Sequence, residues 1–208
     1  MSKLPTVAII GQANVGKSSL FNRLTRSRTA IVAREAGTTR DNVVSKVSYK
    51  RRNVDSAPSD NYSQFWLIDT AGLKTAEDEF EATIQDQIAD ASAAADVILV
   101  TVDSTVYPSD ADRQLAKKAL KSGKPVILIA NKADLKGSLP IDEFKRLGIK
   151  NIIKTSAEHS IGISELLDSI AELIPPATET APDDIIRVAL IGRPNVGKSN
   201  LFNTLAGK

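Results

Sequence analysis

The stretch VAIIGQANVGKSSLFNRL, residues 7–24, decides the fold of the first part of the chain. Its first apolar residues predict a buried strand, a loop with two glycines follows, and apolar residues three or four apart then predict a helix from Lys17 onward. A second copy, VALIGRPNVGKSNLFNTL, occupies residues 188–205. The repeat therefore predicts two related domains, and we expect the second to be a truncated start.

The composition indicates a globular protein without disulfides. The chain has 208 residues, of which 42% are hydrophobic and 25% charged, and this length fits one domain plus a remnant. A formal net charge of +2 creates no general field for nucleic acid, so an RNA partner would need local patches. The absence of cysteine excludes disulfides, zinc thiolates and thiol catalysis. We see no signal peptide or membrane span, and a cytoplasmic location is the simplest interpretation.

Short Val- and Ile-rich runs alternate with helical patterns along the chain, which predicts an α/β fold. We expect a mostly parallel sheet with helices on both faces and one antiparallel strand at residues 42–50. The other predicted strands are residues 7–10, 65–68, 97–102, 126–130 and 151–153. The predicted helices are residues 17–25, 79–95, 110–121, 141–147 and 163–173.

Two polar segments interrupt this pattern. Residues 51–64 are rich in Asn, Asp and Ser and predict a long exposed hairpin loop. Residues 174–184 carry three prolines and predict a linker. The first domain is thus expected at residues 1–173, and the start of the second at residues 185–208.

The loop GQANVGKS, residues 11–18, matches the phosphate-loop pattern GxxxxGK[ST] between a predicted strand and helix. Its backbone N–H groups can surround anionic oxygens, Lys17 adds positive charge near the β and γ phosphates, and Ser18 can ligate magnesium. The alternative is a tight glycine turn, but a chance match at four specified positions is rare. The candidate residues are Gly11, Gln12, Ala13, Asn14, Val15, Gly16, Lys17, Ser18 and Ser19.

Two loops after later strands indicate which base is bound. NKAD, residues 131–134, follows the strand at 126–130, and a carboxylate at Asp134 can accept from the N1–H and 2-amino groups that guanine has and adenine lacks. TSAEHS follows the next strand and places the Ala157 N–H where it could reach the guanine oxygen. The candidate base-reading residues are Asn131, Lys132, Ala133, Asp134, Ser156 and Ala157.

Two weaker motifs complete the series. DTAG, residues 69–72, ends a predicted strand, so Asp69 can hold the magnesium shell while the Gly72 N–H meets the γ-phosphate. In GTTRD, residues 37–41, one threonine could complete that shell. The order of all these motifs is more informative than any one of them. The candidates around DTAG are Asp69, Thr70, Ala71, Gly72 and Leu73.

Together these motifs resemble P-loop GTPases of the translational class, specifically the Era-type and Der (EngA) ribosome-assembly GTPases. The resemblance covers residues 7–173 as one Ras-like GTPase domain and resumes at Ile185 with a second phosphate loop. Tandem GTPase domains joined by a short proline-bearing linker distinguish Der from its single-domain relatives. The resemblance implies GTP hydrolysis coupled to assembly of the large ribosomal subunit, contact with rRNA, and a KH-like domain after the second GTPase domain. We expect a monomer without a DNA partner.

The resemblance also assigns roles to single residues. It implies that Lys17, Thr39 and Gly72 act in catalysis, and that Ser18, Thr39 and Asp69 hold Mg²⁺. Thr39 is chosen over Thr38 because the family keeps the threonine directly before Arg-Asp. Asn14 resembles the asparagine with which potassium-activated relatives hold a monovalent cation.

Leu73 stands where Ras-like enzymes have a glutamine that orients the attacking water. A leucine cannot make that hydrogen bond, so potassium beside Asn14 would supply positive charge instead. We therefore predict faster hydrolysis in potassium than in sodium.

The second phosphate loop contributes an incomplete site, because no switch, metal-completing threonine or base-reading motif follows it. We expect catalysis in the first copy alone. The residues of this incomplete site are Gly192, Asn195, Gly197, Lys198 and Ser199.

Two other functions remain as alternatives. A GTPase accessory to tRNA modification shares GTTRD and DTAGL, including Ala71 where the tandem family often has glycine. A nucleotide-gated binding scaffold with little turnover fits the missing glutamine at Leu73. His159, the single histidine, is expected to lie at the nucleotide edge or on the surface.

Overall fold

The structure is a computed structural model, and it describes residues 4–26, 43–50, 62–69 and 95–174. The chain divides into two compact units, Met1–Thr178 and Glu179–Lys208, and the described residues all belong to the first. Three predicted features lie outside the described residues: the linker apart from Ile174, the second phosphate loop, and all but the last residue of the helix at 79–95. The domain boundaries at 173 and 185 therefore stay predictions.

Six strands form one sheet in the described part of the chain. They are β1 (Thr6–Gly11), β2 (Val43–Lys50), β3 (Tyr62–Asp69), β4 (Val97–Asp103), β5 (Val126–Asn131) and β6 (Asn151–Lys154). Their order is β2-β3-β1-β4-β5-β6. Only β2 and β3 pair antiparallel, and the other four pairings are parallel. The prediction of a mostly parallel sheet with one antiparallel strand is confirmed.

Four helices lie within the described residues: α1 (Lys17–Arg26), α2 (Asp110–Lys121), α3 (Asp142–Lys145) and α4 (Ile163–Leu173). The start of α2 is fixed by a capping box, in which the Ser109 hydroxyl accepts from the Asp112 N–H (3.1 Å) and Asp112 accepts from the Ser109 N–H (2.9 Å). Helix α3 is shorter than the predicted 141–147, because its flanking turns close with hydrogen bonds to the third preceding residue, as from Leu147 to Phe144.

Helices cover both faces of the sheet, which explains why its central strands are apolar at consecutive positions. Alternate residues of β1 belong to two separate clusters. Val7 and Ile9 pack in one cluster with residues of α1 and α4, whereas Ala8 and Ile10 pack in the other with residues of α2 and α3. The prediction of helices on both faces is confirmed.

Strand β3, which forms a hairpin with β2, is longer than the sequence pattern predicts. Strand β3 begins at Tyr62, opposite Lys50, whereas the apolar run alone places its start at Phe65. Cross-strand pairing with β2 extends the strand through polar residues, so the loop predicted at 51–64 ends three residues earlier. No helix among the described residues is both long enough and apolar enough to cross a membrane.

Candidate nucleotide-binding site

The predicted site residues that the structure describes lie at one edge of the sheet. The phosphate loop follows β1, Asp69 ends β3, Asn131 ends β5, and Ser156 and Ala157 follow β6. Because β1, β3, β4, β5 and β6 run parallel, the carboxyl ends of these strands meet at the same edge. This edge is where open α/β sheets bind ligands.

The two glycines of the phosphate loop are required by close approach to neighbouring strands. A Cβ at Gly16 would overlap the side-chain amide of Asn131, and the φ of Gly16 is +92°, which disfavours other residues. A Cβ at Gly11 would overlap the carbonyl oxygen of Thr101 on β4. The loop is therefore held against β4 and the end of β5, where its backbone can curve around an anion.

Lys17 begins α1 inside this loop and is only 6% exposed. Its Nζ donates to the carbonyl oxygen of Gln12 at 2.5 Å, across the curve of the loop. Burial lowers the pKa of Lys17, and the negative charge of Asp69 opposes that shift. A buried cation beside the amino terminus of a helix favours an anion at this position.

Asn131 joins the phosphate loop to the loop after β6. The Asn131 side chain is 2% exposed, and its Nδ2 donates to the Val15 carbonyl oxygen at 3.0 Å. Its Oδ1 accepts from the Thr155 hydroxyl at 3.1 Å and from the Ala157 N–H at 3.3 Å. The two halves of the predicted site are thus fixed relative to each other through one amide.

Asp134, the predicted guanine acceptor, is held ionised by its surroundings. A hydrogen bond from Ser156, together with its own N–H and the nearby His159, lowers the pKa of Asp134 against the opposing effect of burial. The His159 ring lies 3.5 Å from the carboxylate and is 59% exposed. A carboxylate with a lowered pKa remains an acceptor for the N1–H and amino donors of guanine at neutral pH.

Lys132 is fixed in a different way. Its φ is +66°, and its Nζ lies 2.6 Å from Oδ2 of Asp103, the last residue of β4. Burial would raise the pKa of Asp103, but the hydrogen bonds from Lys132 and Thr105 and the Lys132 charge outweigh it, so the pKa is lowered. This ion pair orients the stem of Lys132 beside the base-reading loop.

Three residues that contribute to the site have no counterpart in the sequence motifs: Arg23, Ser109 and Asp103. Arg23 on α1 donates from Nε to the Ala157 carbonyl and from Nη2 to the Glu158 carbonyl, each at 2.5 Å. Gln12 donates to the Ser109 hydroxyl at 2.7 Å, which ties the phosphate loop to the cap of α2. Asp103, the partner of Lys132, is the third. An arginine in a helix or an aspartate at a strand end carries no motif, so pattern reasoning missed them.

Two groups of candidate ligands bear on metal binding. Ser18 directly follows Lys17, and Asp69 is 2% exposed and close enough to influence the Lys17 pKa, so hydroxyl and carboxylate oxygens suited to Mg²⁺ border the phosphate loop. Asp134, Glu158 and His159 bring ligand atoms within 4.8 Å of one another, but this group shares the carboxylate predicted to read guanine.

Several predicted site residues lie outside the described residues, and their roles remain predictions. In the first domain they are Thr39, Thr70, Ala71, Gly72 and Leu73. In the second copy they are Gly192, Asn195, Gly197, Lys198 and Ser199.

The doubly wound sheet, the phosphate loop and the two polar loops beside it define a P-loop GTPase domain. A family model described as "50S ribosome-binding GTPase" matches residues 6–132 and again residues 187–208, so the chain belongs to this family. The family resemblance inferred from the motifs is thereby confirmed.

Curated relatives named GTPase Der are similar to almost the whole chain. The protein from Moorella thermoacetica is 40% identical over 206 residues, covering 98% of this chain and 44% of the relative. The protein from Streptococcus thermophilus is 41% identical over 206 residues, covering 99% of this chain and 45% of the relative. The chain thus spans less than half the length of these relatives.

Solved structures of Era are also similar. A variant of Era from Aquifex aeolicus bound to GDP·AlF4⁻ matches with a TM-score of 0.61 and 28% identity, over 91% of this chain and 63% of that one. Era in complex with MgGDPNP and nucleotides 1506–1542 of 16S ribosomal RNA matches with a TM-score of 0.59 and 26% identity, over 89% and 61%. Both likenesses agree with the predicted GTPase fold.

Proposed function

We propose that the chain binds GTP, hydrolyses it to GDP and phosphate, and acts as a switch in assembly of the large ribosomal subunit. The observation that carries the proposal is the position of Asn131, whose buried amide bonds both the phosphate loop and the loop that contains Ala157. A nucleotide would span both loops, with its phosphates in the first loop and its base beside the second. The acceptor chemistry of Asp134 favours guanine for that base.

Lys17 and the backbone of the phosphate loop supply the electrostatic part of hydrolysis in this proposal. In the structure Lys17 bonds the Gln12 carbonyl, and a phosphate oxygen offers it a stronger, charged acceptor. Phosphoryl transfer depends chiefly on positioning and on stabilising charge on the transferred group. Once a phosphate oxygen has replaced the Gln12 carbonyl, the Lys17 cation and the N–H groups of the loop would provide that stabilisation.

Ser18, Asp69 and Thr39 are the proposed ligands of Mg²⁺, which when bound neutralises charge on the phosphates. Asn14 is the proposed ligand of K⁺. Its exposed side chain sits on backbone with φ +63° in the middle of the phosphate loop, where it faces away from the core. Leu73 offers no hydrogen bond to water, so potassium beside Asn14 is proposed to raise the rate of hydrolysis.

Phosphate release tests the enzymatic part of the proposal. We expect release from GTP with Mg²⁺, faster in KCl than in NaCl, and expect Asn14→Ala to remove the difference between the salts. Equal rates in both salts for the unaltered chain would contradict the role of potassium. No phosphate release in either salt, with GTP bound, would favour the nucleotide-gated scaffold instead.

The ribosomal part rests on the family description and on the name Der shared by the relatives. We propose that the chain acts in the cytoplasm as a monomer, with the large subunit and its rRNA as partners. Sedimentation with purified subunits tests this. We expect the chain with a non-hydrolysable GTP analogue to move with the large subunit and the GDP-bound chain to remain free. Movement with the small subunit alone, whose 16S RNA is in the Era complex, would contradict it.

A further inference from the structure

A groove lies between α2 and the turn that follows α3, apart from the residues of the nucleotide site. It has a volume of about 470 Å³. Its cationic lining residues are Arg113, Lys117 and Lys121 on α2 and Arg146 at the end of α3. Leu120, Leu147 and Gly148 also line the groove, and no carboxylate among the described residues does. The groove therefore has a mainly apolar lining surface, with four cationic side chains among its lining residues.

The three cations of α2 are spaced four residues apart, which places them along one face of the helix over about 12 Å. Residues 110–124 contain five lysines and arginines and two aspartates, so this segment alone is more positive than the whole chain, whose net charge is +2. This segment therefore carries a local excess of positive charge. This is the kind of local patch that a near-neutral chain needs in order to bind a polyanion.

The cations of the groove differ in the partners that they have in the structure. Within the described part of the chain, Lys117 and Lys121 form no ion pair. Arg113 pairs with Asp110 at 2.8 Å and Arg146 with Glu143 at 2.6 Å, but both arginines are 52% exposed and each pair lies within one helical turn. Exposed pairs of this kind contribute little, so a phosphate can replace the carboxylate.

We propose that this groove binds the sugar-phosphate backbone of double-stranded RNA, as part of the rRNA contact of the function proposed above, on which it rests. In the part of the chain that the structure describes, the groove is lined by four cations and by no aromatic side chain. Single-stranded RNA is typically held by bases stacked on aromatic residues, whereas duplex RNA is recognised through its backbone and shape. The lining therefore favours a duplex, bound with little dependence on sequence.

Helix α2 connects the groove to the nucleotide site. The helix begins after Ser109, whose hydroxyl accepts from Gln12 of the phosphate loop, and Arg113 lies one turn further along. An RNA backbone bound by Arg113, Lys117 and Lys121 would lie along α2, the helix whose N-terminal cap contacts the phosphate loop. The groove is thereby placed to bind RNA while the nucleotide site is occupied.

Salt-dependent binding of the full chain to an RNA hairpin of about 16 base pairs tests the groove. Four phosphate contacts predict that affinity falls about 150-fold between roughly 50 and 200 mM salt, and two contacts predict a fall of about 12-fold. We expect the larger fall for the unaltered chain and the smaller fall for the double variant Lys117→Gln/Lys121→Gln. The matched control is Lys118→Gln/Lys124→Gln, which removes the same charge from the same segment outside the groove lining and should behave like the unaltered chain.

Unchanged GDP binding and melting temperature in both double variants verify that they fold. Equal salt dependence in the two double variants would overturn the groove, as would an unaltered chain that does not bind the hairpin. Loss of large-subunit association by the groove variant, with hairpin binding retained, would indicate a protein partner and also overturn it. GTP-dependent sedimentation with the large subunit is measured separately. The proposed function can therefore be supported when RNA binding by the groove is refuted, and RNA binding can be supported when the proposed function is refuted.

Discussion

Replacing Asn131 with alanine is expected to destabilise the fold as well as the nucleotide site. The change removes three hydrogen bonds, to the Val15 carbonyl, the Thr155 hydroxyl and the Ala157 N–H, around a residue that is 2% exposed. The Thr155 hydroxyl can rotate, but the carbonyl and the N–H are backbone groups without that freedom. At about 1 to 1.5 kcal/mol for each group left without a partner, the loss is about 3 kcal/mol.

Thermal unfolding of the nucleotide-free chain measures this loss. For a domain of this size 3 kcal/mol corresponds to a fall in melting temperature of about 6–12 °C. The matched control is Thr155→Val, which removes one of the three bonds while keeping the side-chain shape, and should cost about 1 kcal/mol. GDP should also stabilise Asn131→Ala less than the unaltered chain. If Asn131→Ala melts at the same temperature as Thr155→Val, the amide does not tie the two loops together.

Two further predictions concern residues that support the base-reading loop. Arg23→Gln removes both hydrogen bonds to the Ala157 and Glu158 carbonyls, so the GDP dissociation constant should rise about tenfold, equivalent to about 1.4 kcal/mol. The control is Arg26→Gln, at the end of the same helix. Equal GDP affinities in the two variants would refute the role of Arg23. Asp103→Asn should lower stability at pH 7 by about 1 kcal/mol, since its partner Lys132 is half-buried. Because the pKa of Asp103 is lowered in the folded state, the stability difference between the unaltered chain and Asp103→Asn should be present above the usual pKa of about 4 and shrink as the pH falls below it. Chemical denaturation across the acid range measures this difference. A difference that stays constant with pH would contradict the ion pair.

The sequence was sufficient for features that depend on local pattern. The phosphate loop could be predicted because its glycines stand where the backbone leaves no room for a side chain. The structure shows this at Gly16, where any Cβ would overlap Asn131. Strands β4 and β5 could be predicted because both faces of each are buried, which makes their sequences continuously apolar.

Contacts between distant parts of the chain could not be predicted in this way. Asn131 and Val15 are 116 residues apart, and Arg23 and Ala157 are 134 apart, so no periodicity relates them. The predicted start of β3 was wrong for the same reason. The first residues of this strand are polar, and they become part of it through pairing with β2. The partners that fix Lys132 and Ala157 therefore emerge only when the sheet brings the loops to one edge.

Calorimetric titration of the nucleotide-free chain with GDP and with ADP tests the central claim, that this edge of the sheet forms a site for a guanine nucleotide. We expect one GDP per chain, bound about 10⁴-fold more tightly than ADP, because adenine lacks the N1–H and 2-amino donors that guanine offers to the Asp134 carboxylate. Asp134→Asn should lose most of that preference. Binding of ADP within tenfold of GDP by the unaltered chain would contradict the account, and two GDP molecules per chain would contradict the prediction that the second phosphate loop forms no competent site.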